Sequence, residues 1–223
     1  MGLLALAIAP CIAIMVYIYI RDEYEKEPLW LLALSFAGGM LSVIPAILLE
    51  KWGQSLGFHS NGNLYNTAVF AFIVVGFSEE FSKYLFLRFI PYRNKEFNEP
   101  YDGIMYSVVV SMGFATVENI MYVSQYGAET GIMRMFTAIP AHAVFGIIMG
   151  YFVGKAKFSG DNSFFLHIFG IIMAVAFHGA YDFSLMQNEI PGLKLVGALV
   201  SLVVAIRLSS NALTRHKNSS PFK

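Results

Sequence analysis

Residues 103–125 read GIMYSVVVSMGFATVENIMYVSQ, and Glu118 alone among them carries a formal charge. A helix of about 20 mostly apolar residues covers the roughly 30 Å of a bilayer's hydrocarbon core, so this stretch predicts a membrane-crossing helix. Outward from it lie six comparable runs, approximately 3–20, 30–49, 65–90, 132–153, 164–186 and 193–208, the last of them the shortest. The connectors (RDEYEKEP, EKWGQSLGFHSNGN, PYRNKEFNEPYD, YGAETG, GKAKFSGDN and QNEIPG) are polar and too short to fold alone. The whole chain agrees. Of its 223 residues 57% are hydrophobic and 13% charged, with a mean hydropathy of +0.59, against about a quarter charged in soluble domains. The expected fold is an all-α polytopic membrane protein, a bundle of about seven transmembrane helices. Residues 1–208 would form the single transmembrane catalytic bundle and 209–223 a cytoplasmic basic tail.

The 15 basic and 15 acidic residues cancel, which leaves no cationic excess for a nucleic-acid partner. One cysteine, Cys11, permits neither an intrachain disulfide nor a Cys-based metal cage. Ala7-Ile8-Ala9 resembles a signal-peptide cleavage site, but no Lys or Arg precedes it and the apolar run is long, so the first segment reads as an anchor. Basic residues set the orientation. With the amino terminus outside, Arg21, Lys26, Arg88, Arg93, Lys95, Lys155, Lys157, Arg207, Arg215, Lys217 and Lys223 collect on the cytoplasmic side. Lys51, Arg134 and Lys194 fall outside. The reading is amino terminus out and carboxyl terminus in, in contact with membrane lipid throughout.

Most acidic residues sit in connectors or at span ends, including the RDEYEKEP run, which reads as a solvated loop. Glu79, Glu80, Glu118 and Asp182 do not, and Lys83, His142 and His178 join them inside apolar runs. A charge near the bilayer centre costs at least about 2.5–3.5 kcal/mol, so these groups must be protonated, paired, hydrated or neutralised by a cation. Lys83 lies one helical turn from both Glu79 and Glu80. Ser107, Ser111, Glu118 and Tyr122 share a stripe; the two serines are expected to bond back to their own helix. Asp182 lies one turn from His178 and can fix its tautomer, leaving the other ring nitrogen as ligand or base. His142 is followed by Gly146 and Gly150, a ridge that lets helices pack closely. Counted at about 1.5 Å per residue, the groups fall in one slab from the midplane toward the outer leaflet. His59, His167 and His216 read as loop, packing or tail residues.

Two classes fit such a slab. A proton- or ion-coupled transporter also places carboxylates and histidines at mid-depth. An intramembrane hydrolase needs a general base, a water-positioning group and an electrophilic stabiliser, which the Glu79-Glu80 pair and two histidines on separate helices supply. The same set offers enough nitrogen and oxygen donors for zinc with an open position, although no HExxH signature is present.

Glu79-Glu80-Phe81-Ser82-Lys83 (EExxK), Phe114-Ala115-Thr116-Val117-Glu118 (FxxxE), His142 within PAHAVFGIIMG, and His178-Gly179-Ala180-Tyr181-Asp182 (HxxxD) occur in that order on four spans. The pattern resembles the PrsW family of bacterial membrane proteases, distant relatives of the CAAX prenyl endopeptidases, and the resemblance extends to YDGIMYSVVVSMGFATVENIMY and FGIIMGYFVGKAKFS. Relative to the CAAX group, Lys83 replaces an Arg one position earlier and Glu118 replaces a His. The resemblance implies a multi-pass protein of the bacterial cell membrane whose substrate is a single-pass anti-sigma factor. That substrate is cut first on its extracytoplasmic side under envelope stress, after which the sigma factor is released. The expected site is Glu79, Glu80, Lys83, Glu118, His142, His178 and Asp182. In a metal-assisted mechanism His142 and His178, with Glu118 or Glu79, hold zinc, Glu80 or Glu79 is the base, and Asp182 orients His178. In a metal-free one a Glu–His pair activates water, and His178 with Asp182 stabilises the oxyanion.

Overall fold

The structure, a computed structural model, describes residues 2–60 and 63–223. Its helices are α1 (Gly2–Arg21), α2 (Leu29–Leu41), α3 (Val43–Ser55), α4 (Leu64–Val69), a π-helical segment (Phe70–Gly76), α5 (Phe77–Phe89), α6 (Pro100–Tyr126), α7 (Ala128–Phe136), α8 (Ala138–Lys157), α9 (Ser163–Met186) and α10 (Pro191–Asn218). No strand occurs among the described residues. Six rods are long and apolar enough to cross a membrane: α1, α2–α3, α6, α7–α8, α9 and α10. The seventh, α4–π–α5, has the length but carries Glu79, Glu80, Lys83 and Arg88. The protein is thus a multi-pass membrane protein.

Two rods break for one reason. A proline inside a helix removes a hydrogen bond and strikes the carbonyl four residues earlier. Pro45 lies four residues past Leu41, where α2 ends, and Pro140 four past Phe136, where α7 ends. Both rods resume after a single residue, Ser42 or Thr137.

α6 is the axis. In its most apolar stretch 78% of residues are buried, against 17% in α1 and α10, so α6 packs on protein while those two face lipid. It starts on a capping box in which Asp102 Oδ2 accepts from the Glu99 N–H at 2.8 Å, and it ends at Gly127, whose φ of 85° suits glycine. α8 runs antiparallel to α6 in very close contact: a Cβ on Gly150 would meet the Gly103 carbonyl, and one on Gly146 would lie 3.1 Å from Ser111 Cβ. The glycine ridge thus packs against α6. Ser111 does not bond back to its own helix; its hydroxyl donates across this seam to the His142 carbonyl at 2.7 Å.

Three sequence expectations change at the edges. The last span does not stop at Leu208 with a separate tail at 209–223, because α10 continues to Asn218. His216 is buried there, stacked on Tyr151 at 4.3 Å. The connector RDEYEKEP is not simply a solvated loop, since Asp22 and Glu27 are 2% and 1% exposed, folded against the start of α6. Glu50 belongs to helix α3 rather than to a connector.

Candidate active site

The pairing of helices decides which polar groups meet. Side chains on an α-helix lean toward its amino terminus. α6 and α8 run in opposite directions, so Glu118 leans down and His142 up. Although His142 stands opposite Ser111, its Nε2 reaches Glu118 Oε2 at 2.8 Å. α9 lies alongside α8, and the His142 and His178 rings are 5.3 Å apart. The α4–π–α5 rod closes on α9 through two glycines: a Cβ on Gly76 would lie 3.4 Å from the Gly179 nitrogen, and one on Gly179 would strike the Phe72 ring. The π-helical turn lies at this contact, one turn before Glu79 and Glu80. Such widened turns recur at functional sites.

The resulting cluster is buried and closely bonded. Glu79, Glu80, Lys83, His142 and His178 are each at most 5% exposed. Lys83 Nζ lies 3.2 Å from Glu79 Oε2, 2.8 Å from Glu80 Oε1 and 3.0 Å from His142 Nδ1. An ammonium only donates, so His142 Nδ1 accepts, and the ring proton on Nε2 is donated to Glu118. His178 instead lies among carboxylates: Nδ1 faces Glu80 Oε1 at 2.8 Å, and Nε2 faces Asp182 Oδ2 at 3.3 Å and Glu79 Oε2 at 3.9 Å. Each histidine therefore turns Nε2 toward an outer carboxylate, while Nδ1 meets Lys83 in one and Glu80 in the other.

Above the cluster is a cavity of about 630 Å³. It lies toward the end of the bundle where α3, α6 and α9 finish, and its polar lining includes Glu79, Glu118, His142, His178 and Asp182. Glu80 and Lys83 do not line it; they sit behind. All seven residues singled out from the sequence are brought together.

Two more line the same cavity. Arg134 Nη2 lies 2.6 Å from Glu118 Oε2, and its Nε donates to Asn119 Oδ1 at 2.9 Å. Glu50 faces in from α3. Sequence reasoning placed Glu50 in a connector and Arg134 at the outer end of the 132–153 span, yet spacing carries the signal: Val43, Ala46, Ile47 and Glu50 form one helical stripe, as do Arg134, Thr137, Ala138, Ala141 and His142, and every one lines the cavity. Glu50 and Arg134 offset each other, so the five carboxylates and two cations keep the formal excess of three that Glu79, Glu80, Glu118 and Asp182 have over Lys83.

The donors suit a metal. One atom each from Glu79, Glu80, His142 and His178 lies within 4.8 Å of the others. Two imidazoles with two carboxylates make a donor set typical of zinc, and Glu80 Oε2 is buried with no hydrogen-bond partner. The outer carboxylates on the far ring nitrogens match the support that metal-binding histidines ordinarily have. Glu118, expected among the ligands, is outside this group. Arg134 and His142 Nε2 hold it on the far side of the ring.

Residues 27–208 match the family described as PrsW family intramembrane metalloprotease. The chain is similar to the protein named Protease PrsW in several bacteria. Identity is 38% with that of Shouchella clausii, over 82% of this chain and 83% of the relative, and 37% with that of Geobacillus kaustophilus, over 84% and 81%. With the Clostridioides difficile protein it is 33% over 99% and 93%. No solved structure matches the chain.

Proposed function

The chain belongs to the PrsW family of intramembrane metalloproteases, and from that premise we propose that it cuts a single-pass anti-sigma factor near the extracytoplasmic side of the bilayer. This cut would be the first of two that release a sigma factor under envelope stress. Of the two classes open from sequence, membership selects peptidase over transporter. The observation that carries the reading is the meeting of Glu79, Glu80, His142 and His178 in one buried group beneath the cavity. With the amino terminus outside, that cavity faces the outer leaflet, where a substrate helix would be cut close to its outer end.

Glu80, His142 and His178 would hold zinc, which supplies a Lewis acid and lowers the pKa of bound water. Glu79 lines the cavity and Glu80 does not, so Glu79 is the group that can take a proton from an attacking water. In the metal-free reading Glu80 instead holds His178 through Nδ1; in both, Lys83 holds the two glutamates in place. Glu118 and Asp182 orient the two rings through Nε2, and Arg134 anchors Glu118. The apolar walls, among them Phe114, Phe145 and Leu185, suit side chains of an unwound membrane segment.

One observation favours the metal-free reading: the Lys83 ammonium already contacts three of the four donors. Metal analysis of purified active protein separates the two. The zinc reading predicts about one equivalent per chain and loss of cleavage with a chelator; full activity below one equivalent, insensitive to chelators, excludes it. In either case Glu79→Ala, Glu80→Ala and His178→Ala should insert normally and lose cleavage of a co-expressed substrate by about a thousandfold or more. Retained cleavage in any of them removes that residue from the site.

A further inference from the structure

At the opposite end of α6, about 24 Å along the helix from Glu118, a second group of acids is buried. Glu25, Glu27 and Asp102 each bring one oxygen within 4.8 Å of the others. Asp22 and Glu99 flank them, 2% and 1% exposed. Their geometry is partly fixed by bonds that use one oxygen and leave its sister free. Asp102 Oδ2 accepts from the N–H groups of Asn98 (2.6 Å) and Glu99 (2.8 Å), while Oδ1 has no partner. Glu27 Oε2 accepts from the Tyr106 hydroxyl, while Oε1 has none. Asp22 Oδ2 and Glu99 Oε2 are likewise buried and unpartnered, and so is the carbonyl oxygen Asn98 Oδ1.

Among the described residues no cation forms an ion pair with these five acids, although Lys26 lies near Asp22 and Lys157 near Asp102. Lys26 donates to the Tyr19 and Asp22 carbonyls, Arg21 to the Tyr17 hydroxyl and Lys157 to the Tyr92 carbonyl, and Lys217 pairs with Glu23. Buried unpaired carboxylates are neutralised either by protons or by a bound ion. The group therefore demands positive charge.

We propose that Asp22, Glu25, Glu27, Glu99 and Asp102 form a second metal site, separate from the catalytic one, that takes a hard divalent cation of the Ca²⁺ or Mg²⁺ class and ties the α1–α2 connector to the start of α6. The donors are all oxygen and three come from one connector, as such ions require. Zinc, which prefers nitrogen and sulfur, belongs at the other end of the bundle.

Tb³⁺, a luminescent stand-in for Ca²⁺, tests this with the full chain in detergent. Tyr106, bonded to Glu27, should sensitise its emission. The expected result is emission that Ca²⁺ or Mg²⁺ displaces, the tighter competitor identifying the ion. It should survive Glu80→Gln and fall at least about tenfold in Glu27→Gln. If Glu27→Gln does not fold, Glu25→Gln, on the partly exposed member, should weaken Tb³⁺ binding by a similar factor. Saturating ion should also raise Tm by about 5 °C in wild type and Glu80→Gln alike. No emission, emission that requires Glu80, or emission indifferent to Glu25 and Glu27 overturns the proposal and leaves protons as the neutralising charge.

Discussion

At the scale of single residues, each imidazole is held at both ring nitrogens. His142 has Lys83 on Nδ1 and Glu118 on Nε2; His178 has Glu80 on Nδ1 and Asp182 on Nε2. The outer carboxylates set ring orientation without joining the inner group, so their loss should weaken the site without abolishing it. Asp182→Asn and Glu118→Gln are expected to lower metal affinity and cleavage about 10–100-fold, measured by zinc competition alongside substrate turnover. A loss as complete as that of Glu79→Ala would give them a direct role instead. Arg134→Ala leaves Glu118 with His142 alone, and the same assay should place it in that intermediate range. Lys83 differs: removing it strands two buried carboxylates, which costs about 3–5 kcal/mol, so Lys83→Met should reduce the amount of folded protein as well as activity.

At the scale of helices, what was legible in the sequence followed from periodicity and what was not followed from ends. The glycine ridge after His142, the His178–Asp182 turn and the Glu79–Lys83 turn all lie within long apolar runs, where a polar residue has no solvent to explain it. Glu50, Arg134, Asp22 and Glu27 lie within a few residues of a span end, where a charge normally meets water, and only the tertiary fold turns them inward. The π-helical turn at Phe70–Gly76 leaves no mark in an apolar pattern, because FAFIVVG suits an α-helix equally well. The α6–α8 seam gives a test at this scale. Gly150→Leu forces a side chain onto the Gly103 carbonyl; overpacking of this kind costs about 1–3 kcal/mol. Because the seam sets where His142 meets Glu118, thermal unfolding and cleavage should both suffer. An unchanged Tm would mean that the two helices do not pack so closely.

At the scale of the whole molecule, the described residues gather buried acidic groups at two places, one beneath the cavity where α6 ends and one where it begins. The distribution of Lys and Arg assigns the first to the outer side and the second to the cytoplasm. Single cysteines in a Cys11→Ser background should confirm this in intact cells: one at Gly127 should react with a membrane-impermeant maleimide, and one at Asn94 only after lysis. The opposite pattern would invert the protein and move its cut to the cytoplasmic side. The central claim, that the buried glutamate–histidine group is where peptide bonds are broken, meets its most direct test in proteoliposomes holding a single-pass anti-sigma factor and the Glu79→Gln protein. The substrate should remain intact while helix content and Tm match wild type. Cleavage at the wild-type rate would contradict it.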